Sequence, residues 1–424
     1  MNGVRLPHAW RETTVSRASN GITGPSKPER SPESGARVHV ERRPSSRPRA
    51  YRRRRPAWVY WVRRGILAGL AVLLIVTAWS IAGALRAPGD DGASVKLAEW
   101  GRDHGLGPVV TLAETIQYKI SPPATGGSPD TSVLASGAAQ ANGAVAHAGT
   151  TAVPLHAPLA TPVSPGLAGE GVFVPAVTTK AGPLVQVTYV RPDSVHTSYL
   201  TGVAWMSHTL KFVLHPGFQD PGTAGMTQPS QIEPAQYPGL VASFNGGFKL
   251  KDAQGGYYDH GKTVGPLTNG AASFVVYKDG HATVGTWGSD VSMTPDVAYV
   301  RQNLQPLISG GTVAANLDAN VQGNWGTTVG GGYAVWRSGI GVTATGDLVF
   351  AGGDALSVSS LADILKRAGA VNAMQLDINK AWVSYMWYSH TSNHVTPHKL
   401  GDFQRPADRY FNPTSRDFVA VYAP

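Results

Sequence analysis

The polar residues with most capacity for chemistry fall in three short stretches. "SFNGGFKL", residues 243–250, ends an apolar run on Asn245 and follows it with Gly246 and Gly247, between Phe244 and Phe248. "WRSGIG" sets Arg337 among small residues, and "NAMQLD" ends on Asp377. Glycine lets a backbone come close to a ligand and present its N–H groups. Arginine offers a planar fork for two phosphate oxygens. A carboxylate at the end of a strand that follows a crossover stands where α/β sheets hold ligands, and it can act at an anomeric carbon. Together these groups suit an anionic sugar. Each also has a plainer reading: a turn, an ion pair on a strand, a cap. Asp259, in "KLKDAQGGYYDHGK", follows the glycines closely enough to supply a second carboxylate, with Asp252 and His260 in the same loop.

Other chemistries find little support. The chain has no cysteine, so thiolate catalysis, thiolate metal sites and disulfides are excluded. Zincin, P-loop, Rossmann and nucleophile-elbow patterns are missing, and no cofactor is expected. His390, His394 and His398 fall four apart, but Pro397 and the Ser, Asn and Thr around them predict a loop, and no metal site is assigned.

The elements that must position these residues are mostly strands. From about residue 169, short branched and aromatic runs alternate with Pro and Gly. Ala272 to Trp287 reads as a hairpin with Asp279-Gly280 as a two-residue turn, and a second hairpin turns at Thr345-Gly346-Asp347. Ser357 or Ser359 caps a helix with Leu361, Ile364 and Leu365 on its apolar face. Gly369 ends it, and the strand to Asp377 follows. "DFVAVYAP" is a final strand. The expected fold class is α+β, a twisted, mainly antiparallel sheet with at least one packed helix, in a domain over 169–424.

The charge is unevenly placed. Of the net +9, residues 1–64 hold 16 Lys or Arg against 4 Glu, and the rest holds 20 basic against 23 acidic residues. The globular part is therefore no basic nucleic-acid binder. The basic arm, 1–64, reads as disordered. The 21 uncharged residues Gly65 to Leu85 would span roughly 30 Å as a helix. A transmembrane helix over 65–86 follows, with Trp58, Tyr60 and Trp61 at its interface. The arginines in front predict a cytoplasmic N-terminus and an extracytoplasmic C-terminal domain, with the lipid bilayer as partner. Residues 94–120 carry helical spacing broken at Gly107-Pro108 and predict two short helices in a juxtamembrane stalk, 87–120. Residues 121–168, rich in Pro, Ala and Gly, read as a linker.

The order of these motifs resembles the phosphodiester glycosidase family over roughly residues 185–424. The resemblance rests on "NGGF" at 245–248, "RSGIG" at 337–341 and "LADILKRAGAVNAMQLD" at 361–377. It implies hydrolysis of a sugar-1-phosphodiester at its glycosidic bond. Asp377 would be the carboxylate near the sugar, Arg337 would stabilise the leaving phosphate, and Asn245, Gly246 and Gly247 would bind substrate. Two departures stand out: Lys249 follows "NGGF" where the family has a second Phe, and Ile378 and Asn379 replace the glycines after Leu-Asp. A phosphorylated glycan or cell-wall polymer is the expected partner. Arginine outnumbers lysine 24 to 12, which fits a bacterial envelope protein. A catalytically silent glycan-binding protein on the same fold is the alternative.

Overall fold

The computed structural model describes residues 56–134, 155–180, 182–315, 317, 324–326, 334–392 and 394–424. Most of the basic arm lies outside them. The chain divides into two compact units, Met1–Leu67 and Ala68–Pro424. The described part of the first is the start of helix α1 (Ala57–Leu85), where the Arg64 guanidinium lies 4.6 Å from the Tyr60 ring centroid. α1 is long and apolar enough to cross a membrane.

In the second unit α2 (Ala93–Asp103) and α3 (Gly107–Ile120) confirm the two expected helices. Eighteen strands follow among the described residues: β1 (Val174–Thr179), β2 (Gly182–Val190), β3 (Thr201–Met206), β4 (Lys211–His215), β5 (Leu240–Asn245), β6 (Tyr257–Asp259), β7 (Lys262–Val264), β8 (Ala272–Tyr277), β9 (Ala282–Thr286), β10 (Val297–Gln302), β11 (Pro306–Ser309), β12 (Thr312–Val313), β13 (Val335–Thr343), β14 (Leu348–Leu356), β15 (Ala370–Gln375), β16 (Tyr385–Thr391), β17 (His394–Lys399) and β18 (Phe418–Tyr422). They form an eight-stranded sheet in the order β1-β2-β3-β14-β13-β15-β11-β12 and two five-stranded sheets, β7-β6-β10-β8-β9 and β17-β16-β5-β18-β4. The ladders at the centre are antiparallel, so the α+β expectation holds. A one-turn helix, α4 (Leu250–Ala253), follows the glycine pair, and α5 (Val358–Arg367) joins β14 to β15.

α5 forms where its spacing predicts. Ser357 accepts a hydrogen bond from the Ser360 N–H, Lys366 and Arg367 fall in the last turn, and Gly369 follows at φ +92°. Its buried face, Leu361, Ala362, Ile364 and Leu365, packs with Val349, Ala351 and Ala373 of the large sheet. β14 and β15 both run antiparallel to β13 between them, so they are parallel to each other and α5 crosses over β13. That crossover delivers the chain to Asp377.

Two expectations change. The hairpin after Tyr277 closes through three residues, not two: Gly280 N–H bonds to Tyr277 O, Tyr277 N–H bonds to His281 O, and Gly280 takes φ +88°. This is a tight turn followed by a left-handed residue, which twisted strands also accept. The three histidines sit on the β16–β17 hairpin rather than a loop, and Pro397 is tolerated because β17 is an edge strand. The residues just before α2 are bonded to the C-terminal loops. Asp91 pairs with Arg405 and accepts from Ser415 Oγ at 2.6 Å, and Asn412 donates to Asp90 at 2.8 Å. The acidic residues behind the span thus find arginines near the C-terminus.

The Pro/Ala/Gly-rich stretch is anchored at both described ends. Gly126 N–H bonds to Val195 O, and Leu159 is buried beside Phe173 and Val190. Composition hides this because a few apolar residues suffice to dock a segment. Leu159→Ala is expected to destabilise the domain by about 2–3 kcal/mol, the usual range for a truncated buried leucine. Urea unfolding checks it, and an unchanged midpoint would return 155–168 to the status of free linker.

Candidate functional site

Asp377 is held in place through its backbone. Ser338 N–H donates to Asp377 O at 2.9 Å, and Leu376 N–H donates to Ser338 O at 2.8 Å. The Ser338 hydroxyl also reaches Asp377 O, at 3.2 Å, and receives Asn245 Nδ2 at 3.0 Å. Asn245 Oδ1 in turn accepts from Ser384 N–H at 3.0 Å. Asn245, at the end of β5, therefore reaches Asp377 through one serine, and all three side chains are buried.

The two oxygens of Asp377 do different work. Oδ1 accepts from the N–H groups of Ile378 and Asn379 at 2.7 and 3.1 Å, which is the capping role. Oδ2 faces Arg416 Nη2 at 3.4 Å. Burial pushes the carboxyl up to about 6, although Arg416 and the two N–H groups pull the other way. It is thus ionised but still appreciably basic near neutral pH.

A cavity of about 570 Å³ opens here, lined by Phe248, Lys249, Asp377, Ile378, Asn379, Trp382 and Arg416. α2 and α3 supply its other wall, through Glu99, Arg102, Thr111 and Tyr118. Arg405, Arg409 and Arg416 surround the Trp382 ring with their guanidinium carbons 5.0, 5.4 and 5.2 Å from its centroid. The indole faces weaken the mutual repulsion of three buried cations. Arg416 Nε has no hydrogen-bond partner among the described residues.

Apart from Asp252, the other sequence-predicted residues lie elsewhere. A side chain on Gly246 would place its Cβ 2.2 Å from Asp417 Oδ2, and one on Gly247 would come within 2.8 Å of the Asn303 amide. The close approach that these glycines allow is to the protein's own polar groups. Asn303 Oδ1 accepts from Phe248 N–H at 3.0 Å, and its Nδ2 donates to Gln375 O and Leu376 O at 2.9 Å. The glycine turn is thereby tied to the strand that ends at Asp377. Arg337 is buried and donates from Nε to Leu356 O at 2.9 Å and from Nη1 to Gln375 Oε1 at 2.8 Å. It does not line the cavity. Asp259 is farther off still, accepting from Thr227 N–H and Oγ1 and paired with His260. Asp252 does line the cavity.

Arg416, Trp382, Asp417 and Glu99 were missed. Asp417 forms a two-point pair with Arg301 at 2.7 and 3.2 Å. The available signal was "RPADRYFNPTSRDF", a basic, aromatic stretch at 405–418 within a part of the chain that is acidic overall.

Residues 238–377 match the sequence profile of the phosphodiester glycosidase family. The match bears out the resemblance, and it ends on Asp377. Asn245, Gly246, Gly247, Asp259 and Arg337 fall within the matched segment; Glu99, Trp382 and Arg416 fall outside it. No curated protein matches the chain. Among solved structures, the chain is similar to the catalytic domain of zebrafish N-acetylglucosamine-1-phosphodiester alpha-N-acetylglucosaminidase, auto-inhibited by its pro-peptide. That likeness has 16% identity, 59% coverage of this chain, 87% of the other and a TM-score of 0.38. A hypothetical protein from Synechocystis gives 11% identity, 58% and 63% coverage and a TM-score of 0.30. A putative exported protein from Burkholderia pseudomallei gives 11%, 53% and 74%, and 0.29.

Proposed function

We propose that this chain hydrolyses sugar-1-phosphodiesters at the glycosidic bond, acting as a membrane-anchored enzyme on phosphorylated envelope glycans. The supporting observation is Asp377: a buried carboxylate, raised to about 6, with one oxygen turned to Arg416 in a cavity of about 570 Å³. In the proposed reaction Asp377 takes a proton from water as the water oxygen bonds to the anomeric carbon. The bond from that carbon to the phosphate oxygen breaks, and the phosphomonoester leaves with the electron pair. Arg416 faces the negative charge as it develops. The proton passes from Asp377 to solvent or product. Arg337 serves as a positioning residue, because it holds Gln375 two residues before Asp377. Asn245 acts likewise through Ser338.

The test is a screen of the full chain against sugar-1-phosphodiesters, with free sugar and phosphomonoester as the products sought. Turnover should fall as pH drops through about 6, because the base must be ionised. A profile flat between pH 5 and 8 would remove Asp377 from that role. Saturable glycan binding without product would favour the silent binder, a reading supported by Ile378 and Asn379 lining the cavity.

The arginines before α1 support a cytoplasmic N-terminal side and a cleft outside. Protease added to intact cells is expected to degrade the chain after residue 86 and spare the arm. Protection of the C-terminal part would reverse the orientation.

A further inference from the structure

Lys249 and Arg416 are two buried cations that approach one another only through carboxylates. Lys249 Nζ contacts Glu99 Oε2 directly and lies 2.9 Å from Asp103 Oδ1. Arg416 Nη1 lies 3.8 Å from the same Glu99 oxygen, and its Nη2 lies 3.4 Å from Asp377. Glu99 is 6% exposed, Lys249 8% and Arg416 6%. Arg102, beside Glu99 at 3.4 Å, and Lys251, 3.7 Å from Asp103, complete the charged groups around them. Both acidic partners of Lys249 come from α2. Without α2, this wall of the cleft would hold Lys249, Lys251 and Arg416 against Asp377 and Asp252.

We infer that Lys249 and Arg416 form a subsite for the phosphate of a monoanionic phosphodiester, and that the Glu99 carboxylate occupies it in the state described. A carboxylate and a phosphodiester each carry one negative charge over two free oxygens, so one can stand in for the other. Arg416 Nε, buried and without a partner, is a further donor that Glu99 does not use. An ion pair that served only to fasten α2 would have no need of that spare donor beside a cavity. The subsite also sets the phosphorus one guanidinium away from Asp377, where a glycosidic carbon bonded to that phosphate would meet the carboxylate. The inference rests on the reading of the cleft given above and adds Lys249, the residue at which the sequence departs from the family pattern, as a determinant of substrate charge.

The experiment is calorimetric titration of the full chain in detergent micelles with dimethyl phosphate, a monoanionic phosphodiester. Glu99→Gln keeps shape and removes charge, and Lys249 and Arg416 retain Asp103 and Asp377 as partners. The variant is expected to bind the probe at least about tenfold more tightly than wild type, a gain within reach of one charge-assisted hydrogen bond. Adding Lys249→Met should cancel the gain. Should Glu99→Gln not fold, Glu99→Asp, one methylene shorter, is expected to give a smaller gain in the same direction. Wild-type affinity in the variant that folds, or a gain that survives Lys249→Met, overturns the subsite. The titration does not depend on turnover. If neither wild type nor Glu99→Gln hydrolyses but the variant gains affinity, the hydrolase reading is lost and the subsite kept; hydrolysis without the gain does the reverse.

Discussion

At pH 7.5, Asp377→Asn is expected to unfold at a higher urea concentration than wild type while losing at least about 100-fold in turnover. The activity loss follows from removing a base, whose contribution is typically 10²–10⁴-fold. The stability gain follows from linkage. The carboxyl lies near its ordinary value when unfolded and at about 6 when folded. Between those values the folded chain holds a proton that the unfolded chain has released, so stability falls as pH rises through the window and stays lower above it. Two pKa units correspond to about 3 kcal/mol, and asparagine, neutral at every pH, avoids most of that cost. Its Oδ1 can still accept from the Ile378 and Asn379 N–H groups. The wild-type and variant curves should therefore converge near pH 4 and separate toward pH 7. A variant less stable than wild type at pH 7.5 would mean that the pair with Arg416 outweighs burial, and Asp377 would then read as a structural anchor.

Asp417→Ala is expected to cost about 3–5 kcal/mol, the range for removing one partner of a buried ion pair. Arg301 is 2% exposed and would keep its bonds to Gln302 O and Phe248 O but lose both contacts to carboxylate oxygens. A loss of this size is a large fraction of a typical domain's stability. Gly246→Ala should act on the same pair, because its Cβ would stand 2.2 Å from Asp417 Oδ2 and must push the carboxylate off Arg301. The two effects are thus expected to overlap, and the double variant should lose clearly less than the sum. Urea unfolding of the four chains gives the cycle. Full additivity would show that Gly246 matters for some reason other than the Arg301–Asp417 pair.

Much of the fold was legible because it depends on local pattern. The cap, apolar face and Gly369 of α5 are contiguous in sequence, as are β13, β14 and their turn, and the crossover to Asp377 follows from them. Asn245 and Asp377 could be paired through the order of the motifs alone, for they close strands of two different sheets, β5 and β15. What brings them together is Ser338, which lies inside "RSGIG" but stands next to the more conspicuous Arg337. Arg337 was misleading for a physical reason: an arginine that holds a carbonyl and an amide inside a protein has the same local sequence as one that holds phosphate. Asp259 looked close to the glycine turn in sequence, but α4 and β6 intervene, and its carboxylate is taken by Thr227. Arg416 and Glu99 were out of reach, since they meet across more than 300 residues of chain and only tertiary packing relates them.

Four residues, 86–89, separate Leu85, the end of α1, from Asp90, where the chain is already bound to the C-terminal loops. Fully extended, the five steps from Leu85 to Asp90 reach at most about 18 Å. Gly89, at φ +91° and hard against Pro413 O, takes up part of even that length. With α1 in a bilayer, the cleft therefore hangs on a short leash. Such a tether would keep it at the lipid surface, where molecules embedded in the bilayer would be met at high local concentration. Lengthening the leash at residues 86–88 would widen that territory and thin out the encounters within it.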